Sequence, residues 1–502
     1  MRGSIRGRLL LGLVLALPSS PGSPTGAVCP LERKIGDNAK AEFSSKRQRG
    51  RIGKAPAYCP FSEHCETMAS SLADLNVLRT AIGQLNAERR AGLGKHEGET
   101  RYQPRAEEFH KRLSLEVASR RGKARTLVTG QIGVGKSSEL WQFFHDQTRE
   151  CDEFVVFCDL EQEEHPERCG ATGVFLTIFR DCWSETKRFQ GKQHELAQLR
   201  GEILTRLIDW LGGHRVENEQ KVLLKFGGMD FPVFLNKPDT ALSLILGKAA
   251  QHEAVSEASD RFGIVPDSLI NLLNKLLDWF TSQIRGKAPL LIIDHVDKIR
   301  DAAAAEDVLV KAVPHWNRIR ASIIMTAPFE HTLGELRGSV ESKWGRPIML
   351  YPVPIPDLKS GSIPTIYLEI IKHAGLDALI REESLRMIAH YSGGILRSYV
   401  QFLIESCKQS HLAGHDRIEL PDVRNVIQDA EIAYRDYATK ELALLEEISS
   451  TGTGLGEAAT LLRSPIGLIV AEPRDSDSGL LVHPLAQAAL AKYQLKKQKA
   501  WA

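Results

Sequence analysis

From Met68 onward the apolar positions follow two alternating periods. Leu72, Leu75, Leu78, Ile82 and Leu85 recur at three- and four-residue steps, which predicts an amphipathic helix of about five turns ending at the Gly- and Lys-rich stretch 92–98. A second helix is expected near Arg105–Ser119, after which the period changes. Thr126–Gly130 is a short β-branched run closing on glycine, and the stretch from Lys136 is helical, with Leu140, Phe143 and Phe144 on one face. Glu153–Leu160, Pro289–Asp294, Ala321–Thr326 and Arg346–Ile355 read as further strands. Their apolar runs are continuous rather than alternating, as expected of parallel strands buried on both faces. Residues 171–288 read as a mainly helical insertion interrupted by a β-like piece at Lys221–Asn236. The pattern is helical from Pro356 to about Tyr437, and then gives short helices with two strands over residues 438–492.

Strands alternating with helices predict an α/β fold with a doubly wound parallel sheet, whose ligands lie at the carboxyl ends of the strands. The expected division is a leader at 1–67, a helical segment at 68–123 and a nucleotide-binding unit at 124–355 carrying the insertion 171–288. A helical lid at 356–437 and a winged-helix-like unit at 438–502 complete it.

Composition narrows the function classes. An apolar share of 42% and a charged share of 25% are those of a globular protein, and no stretch approaches the roughly 20 apolar residues of a membrane span, so no membrane partner is expected. The formal charge of +2 is uneven: residues 1–67 hold 11 Lys or Arg against 5 Asp or Glu, a net +6 that leaves −4 for the remainder. This argues against a globally basic nucleic-acid protein. The 8 cysteines lack paired spacing and read as reduced thiols. Arg2, Arg6 and Arg8 before the apolar run Leu9–Leu17 outline a secretory signal peptide, but a translation start at Met68 fits better. Phosphate chemistry belongs to the cytoplasm, the expected location, and the residues between the run and Met68 are poor in apolar positions. A basic tail is the third reading.

The chemistry concentrates in a few places. Gly130-Gln-Ile-Gly-Val-Gly-Lys-Ser137 satisfies G-x-x-x-x-G-K-[ST] at every fixed position, between a strand and a helix. Gly130, Gly133 and Gly135 let the backbone turn so that N–H groups, with those of Val134 and Ser138, converge on phosphate oxygens at a helix N-terminus. Lys136 should reach the β- and γ-phosphates of ATP, and Ser137 should supply a hydroxyl to Mg²⁺. Asp294, ending the apolar run of Pro289–Asp294, is placed to hold that Mg²⁺ through water. Asp297, and Glu161 or Glu163 past the second strand, are candidates for the catalytic base. Thr326 ends the next strand, where it can meet the γ-phosphate or orient water. Arg397, four residues after Gly393, starts a helix that can carry it onto the γ-phosphate.

On "VTGQIGVGKSSEL", "LLIIDHVDK", Thr326 and "SGGILR", the chain resembles the AAA+/STAND branch of P-loop ATPases, especially bacterial ATP-binding proteins related to origin-recognition ATPases, over roughly residues 105–437. The resemblance implies Walker A roles for Gly130, Gly135, Lys136 and Ser137, a Walker B role for Asp294, sensor-1 for Thr326 and sensor-2 for Arg397. Leu444–Leu490 is similar to the winged helices that follow such lids. His295 stands where hydrolytic relatives carry an acidic residue, which is closer to STAND switches. Three functions remain open: a slow Mg-ATP hydrolase coupled to lid movement and self-assembly, a nucleotide switch in defence or signalling with negligible turnover, and a DNA-binding loader. The last is weakly supported, because the candidate helix Leu455–Arg463 carries a single basic residue.

Overall fold

A computed structural model describes residue 80 and residues 107–501 apart from 121, 150–153, 163–168, 190–192, 212–213, 216–220, 227–228, 236–237, 250–266, 285, 335, 360, 453–460, 462–466 and 474–477. The leader lies outside the described residues, as does the helix expected from Met68 except for Thr80, which is helical.

Helix α1 (Glu107–Ser119) leads into β1 (Arg125–Thr129), which the glycine loop joins to α2 (Lys136–Arg149) and then β2 (Val155–Asp159). The insertion contributes α3 (Ala171–Glu185), α4 (Gln193–Trp210), a small sheet of β3 (His214–Arg215), β4 (Lys221–Phe226) and β5 (Met229–Phe234), then α5 (Pro238–Ala249) and α6 (Asp267–Gln283). β6 (Leu290–Asp294), β7 (Ser322–Thr326) and β8 (Ile348–Met349) complete a five-stranded sheet in the order β2-β6-β7-β1-β8, every pair parallel.

Each central strand is buried on both sides, and successive residues serve opposite faces. Leu127, Leu291, Ile293, Ile323 and Met325 join the insertion helices in one core. Val128, Leu290, Ile292 and Ile324 join Leu140 and Phe143 of α2 and Phe109 and Leu113 of α1 in the other. That two-sided burial is why the strands read as unbroken apolar runs. This sheet order, with the glycine loop between central β1 and α2, is the P-loop nucleoside-triphosphatase fold.

The last strand is shorter than its sequence suggests. Beyond Leu350, whose N–H still donates to Thr129 O at 2.8 Å, the chain leaves the sheet: Pro352 and Pro354 have no N–H to donate, and the Val353 N–H goes to Gly394 O at 2.9 Å.

Helices α7 (Thr365–His373), α8 (Glu382–Tyr391), α9 (Leu396–Ala413) and α10 (Leu420–Ala438) enclose a separate core around Tyr367 and Tyr399, whose rings lie 4.3 Å apart. After them come α11 (Leu442–Thr451), an antiparallel hairpin of β9 (Ile469–Pro473) and β10 (Ser478–Val482), and α12 (Pro484–Trp501). Their core takes in Phe329 together with Met349 and Tyr351, so the C-terminal elements pack against the carboxyl-end loops of the sheet. The candidate DNA-reading helix Leu455–Arg463 falls outside the described residues except for Leu461. Among the described residues no helix is long and apolar enough to cross a membrane.

Candidate functional site

The site forms at the carboxyl end of β1, where Gly130, Gly133 and Gly135 have φ of 155°, 85° and 97°. Gly130 is required by space as well as conformation, since a Cβ there would stand 2.4 Å from the Leu350 carbonyl oxygen. Val134 is buried under the loop, Ser137 is half-buried and Ser138 is exposed in the first turn of α2.

Lys136 is almost fully buried. Its ammonium donates to Gly130 O at 2.7 Å and Gln131 O at 3.2 Å, and meets Asp297 Oδ2 at 2.7 Å. Burial alone would raise the Asp297 carboxyl, but the charge and hydrogen bond of Lys136 outweigh it and hold the group below its ordinary value. A carboxylate so held is a weaker proton acceptor than a free one.

One flank of the loop is built from two strand ends. β2 and β6 pair in register so that Asp159 lies directly across from Asp294. Asp294 is buried; its Oδ1 accepts the His295 N–H at 2.7 Å, while its Oδ2 has no hydrogen-bond partner in good geometry. Burial pushes this carboxyl above its ordinary value, partly offset by His295.

His295 takes φ of 66°, the only positive φ at a non-glycine among the described residues, a conformation costing on the order of 1 kcal/mol. The turn aims the ring back into the site. Nδ1 lies 2.6 Å from Asp159 Oδ1 and Nε2 3.2 Å from Ser137 Oγ. Burial disfavours the imidazolium, but the hydrogen bond to Asp159 and the charge of Asp294 raise the net affinity for a proton. Asp159 is itself fixed from the insertion, since its N–H donates to Asp181 Oδ2 at 3.3 Å and its carbonyl accepts from Arg180 Nη2 at 3.3 Å.

Of the other base candidates, Glu161 pairs with Lys298 and has Oε2 3.6 Å from His295 Nε2, whereas Glu163 lies outside the described residues. Thr326 is buried, and its hydroxyl accepts the Val296 N–H at 3.0 Å, bracing the turn after Asp294.

The opposite flank is made by the lid and the C-terminal hairpin. The Arg397 N–H donates to Gly133 O at 3.2 Å, and a Cβ on Gly133 would lie 3.0 Å from Arg397 Cβ, so this exposed arginine starts α9 directly beside the loop. Gln131 Nε2 donates to Ile469 O at 2.6 Å, and its Oε1 lies 3.5 Å from the Ala471 N–H, so the amide lies along the edge of β9. His483, stacked on Tyr434 at 4.9 Å, packs where a Cβ on Gly393 would fall, 2.2 Å from Nε2. Burial lowers its pKa to about 4.

A cleft of about 490 Å³ is lined by Phe109, Ile348, Leu350 and Tyr351 together with the charged Glu108, Arg112 and Glu369. Leu350 in its lining is also the residue whose carbonyl oxygen a Cβ on Gly130 would meet.

The structure thus brings Lys136, Ser137, Asp294, Asp297, Thr326 and Arg397 to one end of the sheet. Sequence reasoning missed Asp159 and passed over Gln131 and His483. Asp159 had a signal, because two buried strands both close on aspartate; the other two carry none that is local.

No protein-family model matches the chain, and no curated protein matches it. Among solved structures, Cdc6p from Pyrobaculum aerophilum aligns with a TM-score of 0.36 and 12% identity over 82% of this chain and 98% of its own. The Thermotoga maritima RuvB Holliday junction branch migration motor aligns at 0.34 and 13%, over 77% of this chain and 94% of its own. A Walker-type ATPase of Pyrococcus abyssi aligns at 0.37 and 14%, over 77% and 95%.

Proposed function

We propose that the chain binds Mg-ATP in the loop Gly130–Ser137, hydrolyses it slowly, and couples nucleotide state to the docking of its lid and C-terminal elements. The observation that carries this reading is that two residues of the phosphate loop are themselves the docking points: Gly133 O for α9 and the Gln131 amide for β9. Phosphate settling on the loop N–H groups would act on the same segment that carries both contacts, and any shift of the loop would link the two in free energy. The cleft that shares Leu350 with the surroundings of Gly130 would receive the base.

Ser137 and Asp294 would hold Mg²⁺, and the buried Asp294 Oδ2, with no hydrogen bond in good geometry, fits that assignment. Bound there, the ion neutralises developing phosphate charge. Gly130, Gly133, Val134, Gly135, Lys136, Ser137 and Ser138 would line the phosphates, with Lys136 exchanging Asp297 for phosphate oxygens. Arg397 would approach the γ-phosphate as the lid moves, and Thr326 would keep the turn after Asp294 in place. Asp297 remains the nearest carboxylate for base work. Asp297→Asn separates its two roles: a lower kcat with unchanged affinity assigns the base, whereas tighter ATP binding with kcat retained assigns competition for Lys136.

A non-hydrolysing switch is the second reading, favoured by the engagement of Asp297 with Lys136 and by His295 in place of an acidic residue. Self-assembly, a protein partner or DNA would act through the lid and C-terminal elements in either case. Nucleotide content and phosphate release of the full chain, with and without DNA, decide between them. Bound nucleotide without turnover leaves the switch; absence of bound nucleotide overturns both.

A further inference from the structure

The nucleotide-site reading leaves the Asp159–His295 pair unexplained. A histidine held in a left-handed turn, with one ring nitrogen fixed by a buried carboxylate, is more than packing requires. Nδ1 faces Asp159 Oδ1 at 2.6 Å, so with Nδ1–H donated the lone pair of Nε2 points the other way. What lies on that side is oxygen: Ser137 Oγ at 3.2 Å, Asp294 Oδ2 at 3.6 Å and Glu161 Oε2 at 3.6 Å.

Those spacings have a simple meaning in coordination chemistry. Two ligands each about 2.1 Å from one ion stand roughly 3.0 Å apart at a right angle and roughly 3.4 Å apart at a tetrahedral angle. Nε2 therefore stands from Ser137 Oγ and from Asp294 Oδ2 at distances close to those between neighbouring ligands of one ion. Asp294 Oδ2 is also a buried carboxylate oxygen with no hydrogen bond in good geometry, close enough to the Ser137 hydroxyl for that group to favour its charged form, and an ion there would satisfy both. Asp159 behind the ring is the carboxylate that orients a metal-binding histidine and raises its basicity.

We infer that His295 is a direct ligand of the divalent cation that accompanies the nucleotide, making this an imidazole-containing site suited to first-row transition ions such as Mn²⁺ and Co²⁺ as well as Mg²⁺. Among the described residues no three His, Cys, Asp or Glu side chains close on one point. The protein therefore supplies a partial set, Nε2 with Ser137 and Asp294, and nucleotide phosphates and water complete it. Imidazole binds Co²⁺ and its neighbours far better than Mg²⁺, so exchanging an acidic side chain for His295 shifts the selectivity of the site. Asp159 is a positioning residue, acting through the ring.

The inference rests on the nucleotide reading, and the experiment separates the two. Full-length protein carrying ¹⁵N-histidine is loaded with Mn²⁺ and ADP and measured by pulsed EPR, where ³¹P couplings report nucleotide beside the ion and ¹⁵N couplings report a histidine ligand. Histidine label distinguishes the ring from nitrogens of the base. The expected result is both couplings in wild type, with the ¹⁵N coupling lost in His295→Gln and the Co²⁺-over-Mg²⁺ ratio of ADP affinities falling about 10-fold or more. Asp159→Asn should keep the ¹⁵N coupling while lowering Co²⁺-supported affinity. Phosphorus coupling without histidine coupling in wild type overturns the inference and leaves nucleotide binding standing. Absence of nucleotide uptake with every cation overturns the nucleotide reading, and the inference falls with it.

Discussion

The two flanks of the loop Gly130–Ser137 are built from different physics. On the strand-end flank, Lys136, Asp297, Asp294, His295 and Asp159 are charged or titratable side chains packed at the ends of buried strands. On the lid flank, the contacts are a backbone N–H on Gly133, the neutral Gln131 amide along β9, and a neutral histidine against Gly393. Removing one partner from a buried charge pair leaves the other uncompensated, at a cost of roughly 3–5 kcal/mol. A neutral hydrogen bond contributes a net of only about 1 kcal/mol, because water replaces it once the surfaces part. The strand-end flank is thus fixed in geometry, while the lid flank can let go and re-form, which is what the proposed coupling to nucleotide needs.

Lys136→Ala should produce the largest effect, because it removes the loop's cation. ATP affinity measured by calorimetry is expected to fall roughly 100-fold or more, about 3 kcal/mol of charge-assisted bonding. Unchanged affinity would remove the phosphate-loop assignment and with it the whole comparison.

Acidification tests the lid flank without mutation. His483 is fully buried, stacked on Tyr434 and set against Gly393, with the charge of His390 adding to the effect of burial and the Ser392 backbone opposing it. Its pKa is about 4 in the fold against 6.5 when exposed, so the unfolded or undocked chain binds the extra proton first. The associated stability is fully present above about pH 6.5 and is lost as pH falls toward 4, up to about 3 kcal/mol. Hydrogen exchange over α12 and the hairpin should rise in that window, and the rise should vanish in His483→Gln.

Gly393→Ala should have a somewhat smaller effect, about 2 kcal/mol, since φ of 62° penalises a side chain and the added Cβ meets the His483 ring. Limited proteolysis between α10 and β9 is expected to accelerate while α2 and β6 stay protected; equal acceleration in both regions would mean the flanks are not independent.

Gln131→Ala should be the mildest, near 1 kcal/mol, weakening the seat of β9 and leaving the loop fold intact. A shift in ATP affinity accompanying the loosened hairpin would demonstrate the coupling directly. Loosening with no change in affinity would limit the contact to structure.

Much of the site was readable because its parts are local. The loop glycines, Lys136 and Ser137 occupy 8 consecutive positions, and the strands announce themselves by runs whose two-sided burial leaves no room for polar residues. Asp294 and Thr326 could be placed at strand ends for the same reason. Arg397 could be placed by the glycine pair before its helix, whose φ of 62° and 78° only glycine adopts freely. The length of β8 was not readable, since Val353 takes its partner from Gly394, far along the chain.

What the sequence by itself determined was therefore the set of elements and the chemistry each one ends on. The tertiary structure alone decided which ends meet. Asp159 faces Asp294 because β2 lies beside β6, although 136 positions separate Asp159 from the His295 ring it holds. Gln131 reaches Ile469 across 338 positions because the hairpin docks on the loop. Hydrophobic period records how a segment buries its own face; it carries no information on sheet order or docking, which depend on the fit of whole surfaces. Residues whose role depends on those contacts look ordinary until the chain is folded.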